Sequence, residues 1–93
     1  NGWRPTVKMK CEEIGDPQGG RNRIRKGDTV KVKIPGKTSF KATFHGATVT
    51  DGVVTDVEVY GGPHGIAGWR VLRPSTIHRV AQTKGGVRKA VAR

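Results

Sequence analysis

Gly27-Asp28-Thr29-Val30-Lys31-Val32-Lys33-Ile34-Pro35-Gly36 is the stretch that decides the fold. Val30, Val32 and Ile34 alternate with Lys31 and Lys33, the period of a strand with one face buried and one in water. Gly27-Asp28 opens it and Pro35-Gly36 closes it, because glycine and proline punctuate extended chain. The same period recurs on both sides. Val7, Met9 and Cys11 alternate with Lys8, Lys10 and Glu12. Phe40, Ala42 and Phe44 alternate with Lys41, Thr43 and His45. Val53, Thr55, Val57 and Val59 alternate with Asp56, Glu58 and Tyr60. Trp69 and Val71 alternate with Arg70 and Leu72, and a short element over residues 77–80 follows. Trp69 is expected in the core, which is short of aromatics and needs a large apolar ring; the alternative is an exposed ring beside Arg70 that stacks on an unpaired base.

The connections are those of an all-β chain. Asp51-Gly52 between two valine runs is the chemistry of a tight hairpin turn, since glycine accepts positive φ without a Cβ clash. Gly61, Gly62, Pro63, Gly65 and Gly68 make a longer loop before Trp69. Pro74 ends the next strand, with Ser75 placed to cap one helical turn. Five or six short antiparallel strands within about 75 residues cannot bury two large sheets; a bent sheet closed into a small barrel removes its edges. Three segments are expected: an N-terminal strand with a basic glycine-rich loop at 1–26, the barrel at 27–82, and a flexible basic tail at 83–93.

The 93 residues carry 18 Lys and Arg against 7 Asp and Glu, a net charge of +11. Such a field favours a polyanionic partner. The surplus is uneven. Residues 1–26 hold seven basic and three acidic groups (+4), residues 27–82 hold seven and four (+3), and residues 83–93 hold four and none (+4). The basic extensions are expected to supply most of the charge. The single cysteine, Cys11, excludes an internal disulfide framework and suits a reducing compartment. No apolar run approaches the roughly 20 residues of a membrane span, and no secretory leader pattern opens the sequence.

Three further stretches carry a family resemblance. The run from Lys26 to Gly36 resembles the first strand of an SH3-like barrel, with its Gly-Asp pair and alternating valines. Asp51-Gly52-Val53-Val54-Thr55-Asp56-Val57-Glu58-Val59-Tyr60 resembles the later Gly-x-Val strand of KOW-type members. Trp69-Arg70-Val71-Leu72-Arg73-Pro74-Ser75-Thr76-Ile77-His78-Arg79-Val80 is similar to their final strand, single 3₁₀ turn and closing residue. The resemblance covers about residues 26–81, and the run over residues 37–50 inserts a further strand into the compact KOW spacing. It implies a small SH3-like barrel, a fold that hosts nucleic-acid binders and peptide binders alike. The Arg, Gly and Val usage also resembles that of small basic proteins of actinobacterial phages. The expected location is the cytoplasm, that of a host cell for a phage protein.

The candidate contacts follow from charge and phase. Lys31, Lys33 and Lys41 fall on the solvent face of adjacent strands, where their ammonium groups would follow phosphates, with Lys37 extending the patch. A solvated outer face ordinarily carries lysines too. Arg70, Arg73 and Arg79, with His78, gather in sequence near the last strand, and arginine grips phosphate through a planar fork. Tyr60, on the polar side of its strand, is the candidate for stacking on a base. Arg21-Asn22-Arg23 resembles the Arg-Gly-Arg core of an AT-hook, with Asn22 in place of the glycine and no proline after it; the alternative is a charged mobile loop. Lys84, Arg88 and Lys89 belong to a tail without acids, either an arm that orders on a partner or a frayed terminus.

His45, His64, His78 and Cys11 lack paired metal-ligand spacing. The glycines at 61–68 precede a strand rather than a helix, so they are no phosphate loop. The expected function is a non-enzymatic nucleic-acid-binding module without cofactor or metal, contacting the backbone of DNA or RNA. The alternative is an adaptor that docks on an acidic host or virion protein.

Overall fold

β5 (Phe40–Thr50), eleven residues long, is the strand around which the others are arranged. A computed structural model describes residues 6–80, and the regular elements there are strands and single 3₁₀ turns. Before β5 come β1 (Lys8–Cys11), β2 (Glu13–Ile14), β3 (Ile24–Arg25) and β4 (Thr29–Val32). After it come β6 (Val53–Gly61), β7 (Gly68–Leu72) and β8 (Ile77–Arg79), with 3₁₀ turns at Pro63–Gly65 and Pro74–Thr76. Six strands form an antiparallel sheet in the order β7-β6-β5-β4-β8, with β1 also paired to β5; β2 and β3 make a small second sheet. The protein is all-β, as its periodicity dictates.

One edge of β5 serves two partners. Phe40, Lys41, Ala42 and Thr43 pair with β4, and Ala47, Thr48, Val49 and Thr50 pair with β1. The change of partner falls at an irregularity between Phe44 and Gly46, where the register against β6 shifts. Such a bulge bends the strand and increases its twist. Gly46 suits it because a Cβ there would lie 3.1 Å from the Cys11 carbonyl oxygen of β1. The other edge of β5 runs into β6 through the Asp51-Gly52 turn, whose φ angles of 49° and 86° are those of a twisted hairpin. Asp51 also anchors the chain leading into β1: its carboxylate accepts the Val7 N–H at 3.0 Å, and its own N–H donates to the Val7 carbonyl at 2.8 Å.

The core is built from the alternating residues of these strands. Val30 and Val32 of β4, Ala42, Phe44 and Ala47 of β5, Val57 and Val59 of β6, and Ile77 of β8 are all buried. Ile14 and Ile24, one from each strand of the small sheet, complete the same cluster. Residues 8–25 therefore share the sheet and the core with the rest of the chain.

Two expectations change here. The sheet is open rather than closed into a barrel. β7 and β8 end the strand order and no ladder joins them, and β1 leaves a further edge beside β5. β8 has three residues, gives one edge to β4, and follows a turn through Pro74, which has no N–H to donate. Its other edge is covered by the β2–β3 connection instead. The Gln18 amide Nε2 donates to the carbonyls of Ser75 at 3.1 Å and Ile77 at 3.0 Å, so a side chain satisfies acceptors that a closing strand would otherwise take.

The phase of β7 is also the reverse of the one expected. Leu72 and Arg70 lie opposite the buried Val57 and Val59, while Trp69 and Val71 lie opposite Tyr60 and Glu58 on the outer face. Leu72 supplies the apolar contact to the core, and Arg70 is tolerated on that side because it sits where its head can leave the sheet. At the other end, Val7 and Met9 are exposed because β1 pairs with the half of β5 that runs beyond the core; Cys11 alone of the three packs against it.

Replacing Gln18 by Ala should lower unfolding stability by about 1 kcal/mol, the net worth of such hydrogen bonds. Urea denaturation followed by far-UV circular dichroism reads it as a lower midpoint at unchanged slope. An unchanged midpoint would mean that the β8 edge does not depend on this cover.

Candidate functional site

The residues of β4, β5, β6, β7 and β8 that alternate with the core form one outer face. Lys31 lies directly opposite Lys41 on one side and His78 on the other, so three basic side chains run in a row across β8, β4 and β5. Like charges placed opposite one another across a ladder are destabilising. None of Lys31, Lys33 and Lys41 forms an ion pair among the described residues. The next row, two residues along β5, is Thr29, Thr43, Tyr60 and Trp69.

Trp69 and Tyr60 are 61% and 43% exposed. Their rings meet edge to face at 5.1 Å between centroids, 70° apart, and His45 meets Trp69 in the same manner at 4.5 Å and 67°. The bulge before Gly46 positions His45 for this contact, since a bulge re-aims the side chain at its apex. Val71, 66% exposed, continues the apolar surface beside Trp69. Glu58 lies across from Val71 and is the acid closest in register to the aromatic row.

The acids explain why the lysines are left unpaired. Five of the seven are engaged elsewhere. Glu13 takes Arg23 and Arg25, the latter at 3.3 Å, and Glu12 takes Lys26 at 3.5 Å. Asp16 accepts the Gln18 N–H, Asp28 the Arg25 N–H and Asp51 the Val7 N–H. The glycine-rich loop thus neutralises much of its own charge. Arg23 is held on the β2–β3 hairpin, and Arg21 alone of the Arg21-Asn22-Arg23 run is exposed without an ion pair among the described residues.

The three arginines near the last strand do not converge. Arg70 turns toward the core side and lines a cleft of about 470 Å³ with Ile34, Lys37, Phe40, Pro63 and His64. Its Nε donates to the Gly61 carbonyl at 2.8 Å, and its guanidinium carbon lies 5.6 Å from the centre of the Phe40 ring. Lys37 belongs to this cleft. Arg79 is half-buried opposite Val30, on the face away from Lys31. Arg73 is exposed beyond the end of β7. Lys84, Arg88 and Lys89 lie outside the described residues.

The expected set therefore divides. Lys31, Lys41 and Tyr60 share the outer face, with Lys33 exposed just past the end of β4, while Lys37 and Arg70 share the cleft. His45 was not expected at the site, and Trp69 only as the alternative to a place in the core. The His45-Gly46 pair, a glycine inside an otherwise regular strand, is the signal that marks the bulge. No three of the described His, Cys, Asp and Glu residues gather as a metal site would require.

Comparison of the chain with family models, with curated proteins and with solved structures finds no match.

Glu13 tests the hairpin's self-neutralisation. The hydrogen bond from Arg23 holds its pKa below the ordinary 4.5; desolvation works against this, and the Arg25 charge reinforces it. A depressed carboxylate pKa stabilises the fold above the unfolded value and ceases to do so as pH falls through the folded one. An NMR titration of the Glu13 carboxyl carbon should give a midpoint below 4.5, and Arg23→Gln should return it toward 4.5. A midpoint at or above 4.5 in the parent protein would show that the pair does not form in solution.

Proposed function

We propose that this protein binds the phosphate backbone of nucleic acid, without catalysing a reaction, through the outer face of its main sheet. The observation that carries this reading is the row His78, Lys31 and Lys41, in which two lysines face each other across the β4–β5 ladder with no acid paired to either among the described residues. Folding alone gains nothing from that juxtaposition. A polyanion laid across the row turns the repulsion into attraction and releases counterions. Lys33 lies next to the row and is exposed, so it extends the track.

Backbone binding of this kind has a salt signature. Each neutralised phosphate contributes about −0.9 to the slope of log K against log salt on duplex DNA and about −0.7 on a single strand. Fluorescence anisotropy with labelled oligonucleotides between low and moderate salt should show binding that weakens steeply. The Lys31→Gln/Lys41→Gln double variant should lower affinity on every sequence tested and flatten the slope by about 1.4 on a single strand and about 1.8 on a duplex. No binding at low salt would overturn the proposal. So would a double variant that keeps the parent slope. Nuclease-resistant capture of an acidic protein by the same face would favour the adaptor reading instead.

A further inference from the structure

We infer that the strand held on this face is single-stranded, with unpaired bases stacked on the cluster of Trp69, Tyr60 and His45, an inference that rests on the nucleic-acid reading above. The described chain has four Phe, Tyr and Trp residues. Phe44 is buried and Phe40 half-buried, whereas Tyr60 and Trp69 sit side by side on the outer face of adjacent strands. The β7 position opposite the buried Val59 is taken by Arg70 and not by an apolar ring. The chain instead turns Arg70 toward the core and Trp69 toward water.

Trp69 is presented rather than loosely exposed. Two rings meet it edge to face, Tyr60 of the neighbouring β6 at 5.1 Å and His45 of β5, one strand further, at 4.5 Å. These contacts fix the indole, so stacking a base on the ring surface left open costs little further side-chain ordering. Base–aromatic stacking tolerates any sequence because every base has a π-face.

The lysine row lies close enough to act on the same strand. From Lys41, Trp69 is two strands across, about 10 Å, and two residues along, about 7 Å. The partner must therefore alternate anionic groups with flat apolar ones over about 12 Å. Unpaired nucleotides have that alternation. A duplex presents its phosphates but hides the base faces, and would leave the exposed indole and Val71 in water.

The test uses the full chain carrying Trp3→Phe, so that intrinsic fluorescence reports Trp69. An oligothymidylate and an oligouridylate of 12 nucleotides are compared with a 12-base-pair duplex at one low salt concentration. Single strands should quench the fluorescence and bind more tightly than the duplex. Trp69→Ala should weaken single-strand binding about tenfold or more and leave duplex binding within twofold, and Trp69→Phe should restore part of the loss. Duplex binding as tight as single-strand binding would overturn the inference while leaving the backbone-binding proposal standing. An equal effect of Trp69→Ala on both ligands, or none on either, would do the same. Failure to bind either ligand would overturn both. Because Trp69 lies on the solvent face, its variants should keep the parent's far-UV spectrum; if Trp69→Ala alone unfolds, Trp69→Phe set against Trp69→Gln decides the matter.

Discussion

The double use of one edge of β5 is the constraint on which the rest of the structure depends. A single eleven-residue strand must hydrogen-bond to β4 in its first half and to β1 in its second, while β6 pairs with its other side from Ala42 to Thr50. A straight strand would carry one partner past the other. The bulge between Phe44 and Gly46 separates the two halves, and the close approach of Gly46 to the Cys11 carbonyl lets β1 come in where β4 leaves. Phe44, fully buried just before the bulge, ties the bend to the core. Its N–H and carbonyl extend the β4 side of the sheet by bonding Asp28 and Gly27 at 2.8 Å each. His45, which follows Lys41 and Thr43 on the outer phase of β5, lies at this same irregularity and meets Trp69 there, so the aromatic cluster adjoins the device that shapes the sheet.

Much of this was legible in the sequence because it follows from period and punctuation. The valines of β4 and β6, the phenylalanines of β5 and the Asp51-Gly52 turn stand where alternation and turn chemistry place them. Lys31 and Lys41 follow directly, since each lies between two core residues. What was not legible is what depends on distant pairing. Two-residue strands have no readable period, so Ile14 and Ile24 carry no local sign that they are buried. β7 has apolar residues at 69, 71 and 72, which fit either phase; only its register against β6 selects Leu72 for the core. The cover of β8 by Gln18 joins residues 57 and 59 positions apart, and nothing near Gln18 in the chain announces it.

Charge shows the difference between counting and pairing. By segment, the basic surplus lies mostly outside residues 27–82. By contact, Glu12 and Glu13 pair with Arg23, Arg25 and Lys26 of the loop over residues 15–27, whereas Lys31, Lys33 and Lys41 form no ion pair among the described residues. Exposed pairs of this kind contribute little to stability, but they decide where the field remains uncancelled. A strand approaching the molecule is steered by that remainder. Among the described residues, cations open to a partner therefore lie in the segment of lower formal charge density too.

Two features of the outer face run against what folding by itself would select: a lysine opposite a lysine, and a tryptophan in water beside a core with few aromatics. Each departs from the pattern that the rest of the chain obeys, and both lie on the same face within about 12 Å. A chain whose local choices otherwise agree with its fold is expected to break the rules where it works. The lysine pair alone would suit any anion, and the tryptophan alone any apolar partner. Only their adjacency narrows the choice, because few ligands carry dense negative charge and flat apolar rings at the spacing of two strands.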